Sequence, residues 1–153
     1  MRFRSIAGIL VPVVAAGSFL AFRPMTTEVT AIEGVWKMIH VTTAEGDFDA
    51  TQPSILLFTA GHYAALTVRG TEPRETFPEE PTDEQRLAAW SRFFANAGTY
   101  EVTGNEMHTK VIVARDPNAT AEQVERSSTF EVDGDTMVRT LSSGVVLKYT
   151  RLE

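Results

Sequence analysis

The sequence predicts an all-β protein: an eight-stranded antiparallel up-and-down barrel with one short helix between strands 3 and 4. From Ala31 onward, short runs rich in Val, Ile, Thr, Tyr and Phe alternate with turn residues, which is typical of β-strands. Glycine-centred turns separate several of these runs and favour hairpins between neighbouring strands. Eight strands joined to their neighbours can close into a barrel, and closure removes the exposed sheet edges. The alternative is an open sheet or sandwich packed on the helix.

The predicted strands follow from the period of two within each run. In the first strand, Gly34–Thr43, this period places Trp36, Met38 and His40 on one face. A polar loop over 44–52 follows. The next two strands, 55–58 and 63–68, are predicted to form a hairpin, because the turn Thr59-Ala-Gly-His62 between them contains a glycine that can adopt a positive φ. The other predicted strands are 55–58, 63–68, 99–103, 107–114, 124–132, 136–141 and 145–151.

One helix, expected over 83–96, interrupts the strands. The segment Thr82-Asp-Glu-Gln85 has the capping-box pattern, and apolar residues follow it at helical spacing. Asn96 and Gly98 suit a helix end. We expect the apolar stripe to pack against the barrel wall; the alternative is a lid over the barrel mouth, hinged by the proline-containing loop before it. The stripe consists of Leu87, Trp90 and Phe94.

Length and charge limit the range of functions. The 153 residues suffice for one domain with its own core. The chain has no cysteine, which excludes disulfides, thiolate metal sites and a cysteine nucleophile. It has 14 basic and 20 acidic residues, a net charge of −6 and no basic run. This balance argues against a nucleic-acid partner and against recruitment to an anionic membrane surface. No cofactor is indicated.

Residues 1–26 are predicted to be a signal peptide or an N-terminal anchor, and residues 27–153 the barrel domain. Arg2 and Arg4 precede an apolar run that continues to Phe22, which is the order found in secretory signals. If the segment is cleaved, the domain is periplasmic or secreted. If it is not cleaved, the domain is anchored to the membrane by this segment.

Several motifs occur together in an order that points to one family. Gly34-Val35-Trp36 matches the Gly-X-Trp that opens lipocalin-type barrels. Further matching segments are 55–63, 94–100, Met107-His108 with the strand after it, Asp116-Pro-Asn118 and Arg126. Over about residues 31–151 the chain resembles the bacterial lipocalin-like domain family, a group of calycin-type barrels. The resemblance implies a binding barrel in which Trp36 closes the floor under a late basic residue, for which Arg151 is the candidate. It implies no particular substrate.

Five of the six candidate ligand-binding residues are aromatic or histidine residues on strands. Tyr63, Tyr100 and Phe58 either line a cavity or simply belong to the core. His40 and His108 would each give an apolar pocket a polar group if they point inward. Otherwise each histidine bonds a neighbour or faces solvent.

The sixth candidate, Arg126, shares a predicted strand face with apolar residues, and so does Arg139. An arginine on such a face needs a carboxylate or a ligand anion, because burying the charge alone costs free energy. The partner of Arg126 is therefore either a barrel carboxylate such as Glu101 or an anionic group of the ligand. The two faces are Arg126, Ser128, Phe130 and Val132 on one strand and Met137, Arg139 and Leu141 on the next.

The expected function is binding of a small hydrophobic ligand, in one version an anionic one, within the barrel. One alternative is a barrel enzyme of isomerase, cyclase or lyase type, in which His108 acts as acid and base on a lipid-like substrate and Arg126 orients it. Convergence of these two side chains in one cavity would favour the enzyme. Another alternative is an interaction module of the cell envelope with a filled barrel. The three histidines lie on separate elements, so no metal site is expected, and no catalytic residue is assigned.

Overall fold

The computed structural model describes residues 31–153, and the predicted signal or anchor segment with its boundary lies outside the described residues. The strands are β1 (Gly34–Thr43), β2 (Gly46–Asp49), β3 (Ser54–Thr59), β4 (His62–Val68), β5 (Phe93–Thr103), β6 (Glu106–Ala114), β7 (Glu125–Asp133), β8 (Thr136–Leu141) and β9 (Val146–Arg151). The helices that lie wholly within this range are α1 (Asp83–Ser91) and α2 (Pro117–Ala121).

Eight of these strands form a closed antiparallel barrel, which confirms the predicted fold class. β1 and β3 to β9 pair in chain order, and β9 returns to pair with β1, from Trp36 opposite Arg151 to Thr42 opposite Val146. β2 pairs only with the second half of β1, where it forms a short ribbon beside the barrel. The predicted loop over 44–52 therefore contains a strand, and the predicted loop after β6 contains α2.

A group of buried side chains, here called the floor, closes one end of the barrel. Trp36 is 0% exposed, and its Nε1 donates a 2.7 Å hydrogen bond to the carbonyl oxygen of Ile32. The Arg151 guanidinium lies 4.0 Å from the centre of the Trp36 ring. It also donates to the carbonyl oxygens of Glu33 and Ala31, at 2.7 Å each, which ties the chain before β1 across the barrel end. The floor consists of the buried Ile32, Trp36, Met107 and Met137 and the half-buried Arg151.

Gly34 allows this close approach. Its φ is +125°, a region that side-chain-bearing residues rarely adopt. A Cβ at this position would lie 2.5 Å from the carbonyl oxygen of Glu153 and 2.9 Å from Nη1 of Arg151. The glycine of the Gly-X-Trp motif is thus required because the end of the chain crosses directly over it.

A β-bulge in β1 turns His40 away from the face of Trp36, which corrects the face assigned to it from the sequence. Met38 lies opposite the buried Tyr149, but the register shifts between Met38 and His40, so that His40 lies opposite the exposed Lys148. Its Nδ1 is 3.1 Å from Oδ1 of Asp49 on β2. The strict period of two fails here because a bulge inserts an extra residue into one strand.

The N-terminus of α1 is as predicted, but the helix does not pack on the barrel wall. The Thr82 hydroxyl accepts from the backbone N–H of Gln85 at 3.2 Å, and the Gln85 side chain accepts from the backbone N–H of Thr82 at 2.9 Å. However, Leu87 is 66% exposed and Trp90 is 56% exposed, so the expected packing of this stripe is wrong. Packing is replaced by bonds at the helix end: Nη1 of Arg115 donates to the carbonyl oxygen of Trp90 at 2.8 Å.

The helix also ends earlier than expected, at Ser91 rather than at Asn96. The segment from Phe93 onward pairs with β4, beginning at Val68 opposite Phe93. A Cβ on Gly98 would lie 1.9 Å from the carbonyl oxygen of Lys110, so Gly98 allows β5 and β6 to approach and does not end a helix. Pairing along the whole edge of β4 outweighs local helix propensity in this segment. Among the described residues, no helix combines the length and the hydropathy needed to cross a membrane.

Candidate functional site

The barrel interior changes in character from the closed end to the open end. Above the floor, side chains pack tightly, and the rings of Phe58 and Tyr100 meet edge to face with centroids 5.1 Å apart. A set of polar side chains, here called the polar belt, follows, and half-buried apolar side chains, here called the rim, lie beyond it. The polar belt consists of Tyr63, Thr109, Arg126, Ser128, Arg139 and Tyr149. The rim consists of Val41, Ala65, Phe94, Leu141 and Leu147.

Arg139 lies at the centre of the polar belt. It is half-buried on β8, opposite Phe130 and Leu147, and its Nε donates a 2.8 Å hydrogen bond to Oγ of Ser128. Burial lowers the pKa of Arg139, and the nearby charge of Arg126 acts in the same direction. Because an arginine pKa is ordinarily far above neutral, the guanidinium stays charged at neutral pH.

Arg126 on β7 brings a second positive charge to the same place. It is exposed to solvent, although it shares the inner strand face with the buried Ser128. Its charge acts on the pKa of both Tyr63 and Arg139, which places its guanidinium near these two side chains. Solvent therefore reaches the Arg126 side of the belt.

Two tyrosines complete the belt as hydrogen-bond donors. Tyr63 is 7% exposed and Tyr149 is 6% exposed. Burial raises the pKa of both hydroxyls, and this effect outweighs the opposing charge of Arg139. Both hydroxyls are therefore neutral at physiological pH, and each has a proton to donate.

Neither arginine of the belt forms an ion pair with a carboxylate among residues 31–153. Glu101, the carboxylate considered for Arg126, lies opposite His108 on the outer wall. That pairing is wrong because the buried neighbours Tyr100 and Val102 take the inward positions of β5. The belt therefore presents two guanidinium groups and two hydroxyls without a counter-charge.

The structure brings together only some of the predicted ligand-binding residues. Tyr63 and Arg126 both belong to the polar belt, and Arg139 lies near enough to Tyr63, Tyr149 and Arg126 for their charges to affect its pKa. Phe58 and Tyr100 point inward and belong to the packed core, of which Tyr63 and Tyr149 are also part. His40 and His108 lie on the outer wall, and Trp36 and Arg151 form part of the floor.

His108 lines a depression of about 260 Å³ formed by residues of β5, β6 and β7, and Arg126 lines it too. Its Nδ1 is 2.9 Å from Oγ of Ser127, and its Nε2 is 3.7 Å from Oε2 of Glu106. The side chain points outward because its neighbours Met107 and Thr109 are buried. His108 and Arg126 both line this depression, but His108 points away from the barrel interior, so the pair required by the enzyme hypothesis does not converge inside the barrel.

The residues predicted for the site did not include Tyr149 or Asn96. Tyr149 follows the alternation of β9, in which it shares a face with Leu147 and Arg151, so its inward position could have been read from the period of two. Asn96 was assigned to a helix end, and only the pairing of β4 with β5 shows that it belongs to a strand. Within residues 31–153, no three His, Cys, Asp or Glu side chains are grouped closely enough to hold a metal ion.

Comparison with known proteins agrees with this architecture. The sequence model of the lipocalin-like domain matches residues 33–148. The chain belongs to the lipocalin-like domain family. Membership of this family is consistent with a barrel that binds small hydrophobic ligands.

A solved structure shows the same fold. This lipocalin-like chain is similar to a lipocalin-like protein from Bacteroides uniformis, with a TM-score of 0.51 and 11% identity over 80% of this chain and 99% of that one. An uncharacterized protein from Bacteroides eggerthii aligns with a TM-score of 0.48 and 10% identity, over 78% of this chain and 98% of its own. At the identity of the first, the likeness shows the fold alone. No curated protein matches the sequence significantly.

Proposed function

We propose that this lipocalin-like protein binds a small hydrophobic molecule with an anionic group in the open half of its barrel. The proposal depends on one observation: Arg126 and Arg139 share the polar belt, and no described carboxylate pairs with either. Burying the charge of Arg139 beside a second positive charge, without a counter-charge, costs free energy. An anion that enters from the open end would supply the missing charge.

The surroundings of the two arginines suit such a ligand. The guanidinium groups and the hydroxyls of Tyr63 and Tyr149 donate hydrogen bonds, which a carboxylate or sulfonate accepts. The half-buried rim offers apolar contact to the rest of the molecule. A few convergent polar groups within an apolar lining are the usual composition of a small-molecule site.

Displacement of a fluorescent hydrophobic anion tests the proposal. Full-length protein is saturated with anilinonaphthalene sulfonate and titrated with dodecanoate or with its uncharged methyl ester. We expect dodecanoate to displace the probe and the ester to compete poorly. Arg139→Met should weaken dodecanoate binding by roughly 10-fold or more, because a charge-assisted hydrogen bond contributes about 1.5 to 3 kcal/mol.

Lys148→Met is the matched control, since Lys148 is exposed on the neighbouring strand and faces outward. It should leave dodecanoate binding unchanged. Equal binding of dodecanoate and its ester, or unchanged affinity in the Arg139 variant, would overturn the proposal. Circular dichroism of each variant establishes that the barrel is intact.

We also propose that the protein acts outside the cytoplasm, as the N-terminal segment predicts. Arg2, Arg4 and the apolar run after them suit an export signal. Expression of the full chain in a bacterial host, followed by fractionation and mass measurement, tests this. Recovery of a shortened chain in the periplasm supports cleavage, an intact chain in the membrane fraction supports an anchor, and an intact chain in the cytoplasm contradicts export.

A further inference from the structure

Asn96 places an unsatisfied polar atom inside the barrel. Its Oδ1 is buried and has no hydrogen-bond partner in the part of the chain that the structure describes. Buried polar atoms are usually bonded, because an unsatisfied acceptor loses its hydration without compensation. An unpaired amide oxygen within a closed barrel therefore needs a physical explanation.

The position of Asn96 relates it to the polar belt. It lies opposite Ala65 on β4, and Ala65 packs against the core from inside the barrel. The adjacent inward pair on the same two strands is Tyr63 opposite Gly98, and Tyr63 belongs to the belt. Two residues along a strand span about 7 Å, so Asn96 lies about 7 Å from the belt towards the open end.

The strand neighbours of Asn96 offer its amide oxygen no hydrogen-bond partner. It is flanked by Ala65 on β4 and by Ala114 on β6, both half-buried. An alanine side chain has no donor and extends only to Cβ, so neither neighbour can bond the amide oxygen. The interior near the rim thus contains one buried acceptor that the adjacent strands leave unpaired.

We propose that Asn96 is a specificity-determining residue that accepts a hydrogen bond from the ligand. This inference rests on the proposed function, since it concerns the same ligand. The ligand enters with its anionic group first and reaches Arg126 and Arg139. A hydroxyl or amide N–H farther along the molecule donates to Oδ1 of Asn96, and the apolar tail extends through the rim. The ligand class is a single-chain hydroxylated or N-acylated carboxylate.

Matched ligands test the inference with the full-length protein. Dodecanoate is compared with dodecanoates that have one hydroxyl near the carboxylate, at mid-chain or at the tail end, and with N-lauroylglycine, which has an amide N–H. We expect one of the ligands with a donor to bind about 10-fold more tightly than dodecanoate, as one added hydrogen bond to a buried acceptor allows. In Asn96→Leu, which has a similar volume but no acceptor, this preference should disappear while dodecanoate still binds.

Asn118→Leu is the control, since Asn118 is exposed on α2. It should keep the preference. If no carboxylate binds the wild-type protein, the proposed function itself fails. If dodecanoate binds and no donor improves its affinity, only the inference about Asn96 is overturned. Persistence of the preference in Asn96→Leu also overturns it, because the donor would then be bonded elsewhere.

Discussion

Two arginines of the same barrel differ in how far their guanidinium groups are satisfied by protein contacts. Arg151 in the floor is fully engaged: it lies over the Trp36 ring and donates to two backbone carbonyls. Arg139 in the polar belt has one hydrogen bond, to Ser128, and no carboxylate among the described residues. The closed end is therefore organised for stability. The open half retains unsatisfied donors at a cost in stability, which is typical of a binding site.

The comparison predicts the largest loss of stability for removal of the Trp36 side chain. Trp36→Ala should lower the free energy of unfolding by about 3 to 5 kcal/mol, because a large, fully buried side chain leaves a cavity that the floor cannot fill. Urea denaturation followed by circular dichroism measures the loss. Trp90→Ala is the matched control: Trp90 is 56% exposed and should change stability by less than about 0.5 kcal/mol. Similar losses in both variants would contradict a stabilising role for the floor.

The second effect concerns the approach of the chain end to Gly34. Gly34→Ala should destabilise by about 2 to 3 kcal/mol, because the new Cβ meets the end of the chain and φ is unsuited to alanine. Gly46→Ala separates these causes, since Gly46 also has a positive φ, of +143°, but nothing lies within 4 Å of an added Cβ. A smaller loss of stability in Gly46→Ala than in Gly34→Ala, measured by the same denaturation, would give the contribution of the clash between the added Cβ and the chain end. Equal losses would show that the backbone angle alone matters.

The third prediction sets the two arginines against each other. Arg151→Met should destabilise by about 2 kcal/mol, since it removes bonds to two half-buried backbone carbonyls. Arg139→Met should instead stabilise the ligand-free protein by about 1 kcal/mol, because it replaces an uncompensated charge with an apolar side chain. Thermal unfolding of the two variants should therefore shift in opposite directions. A destabilised Arg139 variant would mean that the guanidinium is part of the core structure.

The fourth prediction uses the pH dependence of the belt. Burial raises the pKa of Tyr149 above its ordinary value of 10.0, so folding favours the neutral hydroxyl. The stability that results is present below pH about 10 and is lost as the pH rises through the pKa of the folded state. Denaturation at a series of alkaline pH values should show a steeper decline for the wild type than for Tyr149→Phe. Parallel curves for the two proteins would rule out this contribution.

The smallest effect is expected on the outer wall. His108→Ala should change stability by less than about 0.5 kcal/mol, since the side chain is exposed and its partners are exposed too. It should also leave binding of hydrophobic anions unchanged, in contrast to Arg139→Met. Probe displacement in both variants checks this difference. Weaker binding in the His108 variant would place the ligand outside the barrel.

The local pattern of residues was sufficient for much of the barrel. The period of two placed Arg126 and Arg139 on core-facing sides of their strands, as the structure has them. The capping box correctly predicted the residue at which α1 begins. The pattern failed where a bulge turned His40 outward and where pairing with β4 drew Phe94 and Asn96 into a strand. In both places the deciding contact is with a neighbouring strand, which a local pattern does not contain.

By itself, the sequence determined the fold class, the hairpin order and the two arginines on core-facing strands, because alternation and turn chemistry act over a few residues. Only the tertiary structure decided that Arg126 and Arg139 both lie near Tyr63, and that Asn96 lies between two alanines. Closure of the barrel brings strands from distant parts of the chain to one interior. Which side chains then face each other depends on register and bulges, and these are set by the packing of the whole barrel.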